Sequence, residues 1–506
     1  MLFNTYPFLF VFLPVAVISY RLCARFVGAR LSIPWLAALS YVFYSWGEPV
    51  YSLLLVSTIA ANWIGGELIR KASGRRRRWT LALFLTANLA TLAYYKYFNF
   101  ALAQLHALGF AAGVTHSVVL PIGISFFIFT QIAYLVDLYR NEVEGRNITA
   151  YALFVSFFPH LIAGPIIHHK EMIPQFTSPA RDHFWRDIYS GSAMLAIGLA
   201  KKVLIADTVS AMSSGMFASV RSEPVGFGVA WLGMLAYTAQ IYFDFSGYSD
   251  MAIGMSQMLG IGLPINFNAP YKSTSIIEFW RRWHITLSRF LRDYLYFSLG
   301  GNRRGRRRRY LNLLVTMVLG GLWHGAAWTF VAWGSIHGAL LALAHLWSDQ
   351  RSRFRLPEVP AAIGWGLTFA AVVVAWVPFR APDLPTAISV WSGMLALHGA
   401  GMPDIQGFAF IAKRLGLQRV TVDYGLLEVA QLAAALAIAL LAPTSQQILS
   451  AFRLGFDSPG YDAVPAPASG PLVLRPSFAF AVLVGLLLAV TVRFIGGYSE
   501  FIYFQF

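Results

Sequence analysis

The sequence predicts an all-α, polytopic membrane protein, and three observations carry that class. The 506-residue chain is 57% hydrophobic. Only 12% of its residues are charged, about half the roughly 25% typical of soluble domains. Apolar runs of about 20 residues, the length of a helix that crosses the hydrocarbon core, recur from one end to the other, and the mean hydropathy is +0.58. Within lipid every backbone N–H and C=O needs an internal partner, so only helices or closed barrels span it. The runs lack the strict alternation of barrel strands. One integral domain, 1–506, with roughly ten or more spans is expected.

The first apolar run, 6–20, has no basic stretch before it and is followed by Arg21 and Arg25, so it reads as a retained span rather than a cleaved leader. Spans near 31–46 and 50–69 follow, then 79–97, 118–138, 149–167, 188–206 and 225–262, the last as one helix or two. The 149–167 stretch holds Pro159, Gly164 and Pro165, which suits a re-entrant or interfacial segment. From 311 to 347 the chain is apolar for 37 residues. At about 1.5 Å per residue that is too long for one upright span, so a hairpin or a steeply bent helix is expected, with a break at Gly320-Gly321. Stretches at 359–379 and 424–442 form a hairpin around a long loop at 381–423, 443–473 is a loop, and 474–495 is the last span.

The net charge of +16 is concentrated in short loops. Arg70, Lys71 and Arg75 to Arg78 form one block, and Arg303, Arg304 and Arg306 to Arg309 another. This is the positive-inside pattern beside anionic lipid, not a nucleic-acid footprint. It places these loops in the cytoplasm and both chain ends outside. The single cysteine, Cys23, excludes an intrachain disulfide. No internal repeat or pair of inverted halves is evident, which weighs against a polymer transporter or flippase.

Several chemistries are missing their signatures: the sequence has no G-x-S-x-G, H-E-x-x-H, Walker A loop or G-x-G-x-x-G. His160, His168 and His169 fit no common metal-ligand spacing, and no metal is expected. Two other histidines stand out, 40 positions apart. His284 sits in E-F-W-R-R-W-H-I-T-L-S, flanked by Trp280, Trp283 and Ser288, with Glu278 and Arg282 spaced for an ion pair. His324 sits in the apolar run L-W-H-G-A-A-W beside Trp323, with Trp328 four residues on and so on the same face of a helix. A titratable ring in hydrocarbon is costly without a purpose or a partner. Asp244, Ser246, Ser249, Asp250, Asn266 and Asn268 are also polar for their surroundings; they serve either a structural network or substrate contact, with Arg281, Arg282 or Arg289 as partners for the carboxylates.

The ordered set I-Y-F-D-F-S-G-Y-S-D (241–250), L-P-I-N-F-N-A-P-Y (263–271), W-R-R-W-H-I-T-L-S and L-W-H-G-A-A-W resembles the membrane-bound O-acyltransferase superfamily. F-F-P-H-L-I-A-G-P-I (157–166) and the opening M-L-F-N-T-Y-P-F-L-F are similar to its bacterial alginate O-acetyltransferase branch. The resemblance implies a helical bundle with a funnel or tunnel through the membrane, and 278–328 as the catalytic segment. It implies transfer of acetyl from cytosolic acetyl-CoA, a substrate rather than a bound cofactor, toward an exopolysaccharide. The family's buried catalytic histidine corresponds to His324, acting as base or as transient acyl carrier. Its upstream polar residue, Asn in many members, corresponds to His284, which would orient substrate or stabilise developing charge. The setting is the bacterial inner membrane, and the partner an exported periplasmic acetyltransferase of the SGNH or alginate-acetylation type. Acylation of a lipid or protein hydroxyl is the alternative in the same class. The ending S-E-F-I-Y-F-Q-F, within an extracytoplasmic tail at 496–506, resembles the C-terminal tyrosine motif of the small partner protein in teichoic-acid D-alanylation. That likeness implies Tyr503 as an acyl acceptor and shuttle.

Overall fold

The computed structural model describes residues 2–110, 116–143, 145–177, 183–399, 402–405, 419–452, 476–496 and 501–502. Among the described residues the regular structure is helical, apart from two short strands, Met402–Ile405 and Arg419–Tyr424, which pair in parallel. It divides into two compact units, each discontinuous in sequence. The first comprises Met1–Leu199, Tyr248–Ile265 and Ser445–Ile495; the second comprises Ala200–Gly247, Asn266–Thr444 and Gly496–Phe506.

Among the described residues, five helices are long and apolar enough to cross a membrane: Phe8–Phe26, Pro49–Lys71, Phe184–Ser219, Trp328–Phe354 and Ala361–Arg380. This is fewer than the apolar runs suggested, and part of the difference has a structural cause. The 149–167 run is broken into Ile148–Ser156, Phe158–Leu161 and a loop. The helices Ile124–Tyr139, Leu426–Leu441 and Phe478–Arg493 have 16 residues each, or about 24 Å, short of a full upright crossing. Phe227–Met258 is a single 32-residue helix, not two. The long loop expected at 381–423 contains the helix Leu384–Met394 and both strands.

In the first unit, the stripe Phe8, Phe12, Ala16 and Tyr20 is buried while Val11, Val15, Ile18 and Leu22 are exposed. The i, i+4 spacing places one face against protein and leaves an apolar face suited to lipid. Helices here are joined by a buried amide network: Asn62 Nδ2 donates to Asn88 Oδ1 and to Gln131 Oε1, both at 3.0 Å, and Tyr151 Oη donates to Gln131 Oε1 at 3.3 Å. Such polar bonds hold helices together where lipid offers no hydrophobic contrast. Arg21 joins a second set, donating to Asp187 Oδ2 at 2.8 Å and to the Met258 carbonyl at 2.9 Å. His160 bonds the Phe154 carbonyl at 3.0 Å and His169 pairs with Asp137 at 3.2 Å, so both have structural partners. Asp250 accepts from Ser445 Oγ at 2.6 Å and Gln446 Nε2 at 3.0 Å.

In the second unit, the helix Arg306–His324 turns back into Trp328–Phe354. The break falls at 325–327, where Gly325 and Ala327 are extended, and not at Gly320-Gly321. Those two glycines lie within the helix. A Cβ on Gly321 would strike the Phe330 carbonyl, and one on Gly334 would strike the Met317 carbonyl. They act as small residues at a tight helix crossing.

Candidate active site

Within the second unit the fold brings His284 and His324 together: their ring centroids are 6.4 Å apart, inclined at 55°. His324 is the last residue of its helix and is 5% exposed. Trp323, Trp333 and Phe379 surround it, with centroids at 4.9, 5.0 and 5.2 Å. His284 joins two short helices, Ile276–Arg282 and Ile285–Phe290, and is wholly buried. Its φ of 43° and ψ of 54° are left-handed, a conformation costly for a side chain other than Asn, Asp or Gly.

Asn266 stabilises that turn. Its backbone carbonyl accepts from Ile285 N at 2.9 Å, and its Oδ1 accepts from Thr286 N at 3.3 Å and Thr286 Oγ1 at 2.9 Å. The same Oδ1 lies 3.1 Å from His284 Nδ1. An atom that takes a backbone N–H is the amide oxygen, so Nδ1 of His284 must be the donor. Burial pushes the ring's pKa below the ordinary histidine value, because it disfavours the charged form. The neutral tautomer then carries its proton on Nδ1 and a lone pair on Nε2. His284 can accept a hydrogen bond from a substrate but, while neutral, cannot donate one from that nitrogen. That tautomer suits the orienting role; the charge-stabilising role would use the ring with a proton on Nε2.

Given the 6.4 Å between centroids, ring nitrogens are at least about 4 Å apart, too far for a direct hydrogen bond. A reacting atom between the rings would be within reach of both.

The other predicted residues divide. Trp283 is buried against Phe267 at 5.0 Å and Trp376 at 4.9 Å, supporting the wall behind His284. Trp280 Nε1 donates to His337 Nδ1 at 3.3 Å, one ring removed from His324 through Trp333. Ser288 bonds the Trp283 carbonyl at 3.4 Å, and Asn268 uses its backbone N–H on the Arg282 carbonyl at 2.9 Å. Trp328 is not on the face of His324: it opens the next helix and is 53% exposed, because the chain reverses at 325–327. Tyr503 lies outside the described residues.

Asp244 is buried, but its cation is Lys202 at 2.6 Å and none of Arg281, Arg282 and Arg289; Arg282 pairs with Glu278 at 2.6 Å. Asp244 Oδ2 also accepts from the Ile502 N–H at 2.8 Å. Sequence reasoning missed Lys202, although a lysine inside the 36-residue apolar helix Phe184–Ser219 was a readable signal. It also missed Trp333, Phe379 and His337, which no local motif marks.

The membrane-bound O-acyltransferase family model matches residues 79–379. The chain belongs to that family, as a multi-pass membrane enzyme that transfers acyl groups. Among curated relatives it is 39% identical to the probable alginate O-acetylase AlgI of Pseudomonas putida, over the whole of both chains. It is 43% identical to the protein of the same name from Azotobacter vinelandii, covering 80% of each chain. It is 40% identical to the peptidoglycan O-acetyltransferase of Helicobacter pylori, covering 79% of this chain and 81% of that one.

Proposed function

We propose that this protein moves acetyl from cytosolic acetyl-CoA to the outer face of the bacterial inner membrane, for O-acetylation of an exopolysaccharide. The observation that carries the reading is the pair of buried imidazoles with 6.4 Å between ring centroids, set in a chain whose relatives are named for acetylating alginate and peptidoglycan. Both polymers are glycans.

In the proposed reaction His324 takes the proton from an acceptor hydroxyl, which is too weak a nucleophile by itself near neutral pH. The oxygen attacks the thioester carbonyl, the C–O bond forms and the C–S bond breaks. The thiolate leaves as free coenzyme A after recovering the proton from His324. His284, held as an acceptor by Asn266, receives an N–H or O–H of the bound substrate and fixes its orientation. The aromatic shell of Trp323, Trp333 and Phe379 limits water at the thioester. Tyr503 is proposed as the first acceptor, since the phenolate of an aryl ester leaves more readily than an alkoxide. The acetyl then passes to a periplasmic acetyltransferase, which places it on the polymer. Both chain ends are assigned to the periplasm.

The deciding experiment is acetyl transfer by His324→Ala in folded protein. A loss of at least about 10²-fold is expected from removal of a positioned base; wild-type turnover would end this reading.

A further inference from the structure

The second unit contains an ionic cluster that the acyl-transfer chemistry does not use. Lys202 Nζ lies 2.8 Å from Asp207 Oδ1 and 2.6 Å from Asp244 Oδ1. The Lys202 and Asp244 side chains are 6% and 2% exposed, while Asp207 is 30% exposed. Lys202 belongs to a wide π-type turn, Lys201–Ala206, inside an otherwise regular helix. Such turns re-aim side chains and are frequent at functional sites.

An ion pair at this depth needs its remaining lone pairs satisfied to offset desolvation. Asp244 meets that need with a backbone N–H from the far end of the numbering, that of Ile502 at 2.8 Å. Ile502 and its neighbour Phe501 are 4% and 3% exposed. Phe501 packs its ring against Phe245 at 5.6 Å, and Phe245 meets the edge of His284 at 4.7 Å. Asp244 and Phe245 are adjacent in sequence, so one turn of helix both fixes the segment and transmits its position to the His284 ring.

We propose that Lys202 and Asp244 are positioning residues: they form a charged seat that docks the 501–502 segment against Phe245 and so holds the wall of the His284 site. Its catalytic consequence rests on the acetyl-transfer reading above, but the docking does not. Lys202 fixes the carboxylate's orientation through Oδ1. The carboxylate's other oxygen then captures the Ile502 N–H, a charge-assisted bond stronger than a neutral one. Losing the seat frees Phe501 from Phe245 and leaves His284 with a looser flank.

Two measurements test this in the full-length protein with Cys23→Ser as background. In the first, Ile502→Cys, which keeps its backbone N–H, is labelled with a maleimide in the membrane without substrate. The cysteine is expected to react slowly, and about tenfold or more faster once Asp244→Asn is added, the scale of a lost hydrogen bond to a charged group. Fast labelling in the parent, or no change with Asp244→Asn, overturns the docking. In the second, Ile502→Pro removes the N–H and leaves the Lys202–Asp244 pair in place, which covers the case in which Asp244→Asn fails to fold. Its kcat for acetyl transfer is expected to fall about tenfold with the KM for acetyl-CoA unchanged. Unchanged kcat overturns the positioning role. Absence of transfer in every form, the parent included, would count against the acetyl-transfer reading, while the labelling still decides the seat.

Discussion

His284 occupies a backbone conformation that asparagine adopts more readily than histidine. Substitution with Asn therefore suits the turn and retains a hydrogen-bond acceptor. His284→Asn is expected to keep measurable transfer, reduced about 10- to 100-fold, whereas His284→Leu should lose most of it. If His284→Asn proves as inactive as His324→Ala, His284 does more than orient the substrate. Asn266 makes the same point from the other side. Its Oδ1 receives the His284 ring and two groups of Thr286, so Asn266→Ala releases both the tautomer and the turn. A fall of about 10²-fold in kcat is expected, the effect of a misplacement of around 1 Å, and initial-rate measurements at saturating donor would show it. At this scale the sequence was legible where chemistry is unusual for its place: two histidines and an aspartate in apolar surroundings. It was illegible where a partner lies far along the chain. Trp333 and Phe379 look like ordinary apolar residues until the helices carrying them close around His324.

The hairpin of Arg306–His324 and Trp328–Phe354 sets the position of His324, and its closeness depends on Gly321 and Gly334. A Cβ at either position meets backbone of the other helix, which cannot rotate away as a side chain can. Gly334→Ala is expected to destabilise the protein by about 1–3 kcal/mol, as overpacking does, and a lower midpoint in detergent thermal unfolding would register it. Wild-type stability would mean the crossing is looser than described. The apolar pattern located this hairpin but misplaced its turn. Gly320-Gly321 resembles a break because glycine is a poor helix former, yet lipid-embedded helices use the same residue to approach one another. A sequence pattern cannot separate the two uses without knowing the partner helix. The run at 149–167 shows the other use of punctuation: its hydropathy fits a span, while its prolines and Gly164 pointed to the short pieces the structure has.

Across the whole molecule, the helical, multi-pass class was the most legible property, because hydropathy follows from the bilayer itself. The hairpin returns Ser352 to the end where Asn302 lies, with Arg309 paired to Asp349 beside it. In a Cys23→Ser background, Asn302→Cys and Ser352→Cys should therefore react with an impermeant maleimide in inside-out vesicles and resist it in intact spheroplasts. The reverse pattern would invert the assigned direction of acetyl flow. The division of the chain into two units was not legible, since each is assembled from three separated stretches and no linker composition marks the joins. The bond between Asp244 and Ile502 spans 258 positions. At a synthesis rate of 5–20 residues per second, the carboxylate is made roughly 13 to 50 s before its final donor. Until Ile502 is made, Asp244 lacks that backbone donor. Closure of the site wall therefore waits for a segment translated after both histidines, and a chain truncated before Phe501 would carry both histidines without that flank.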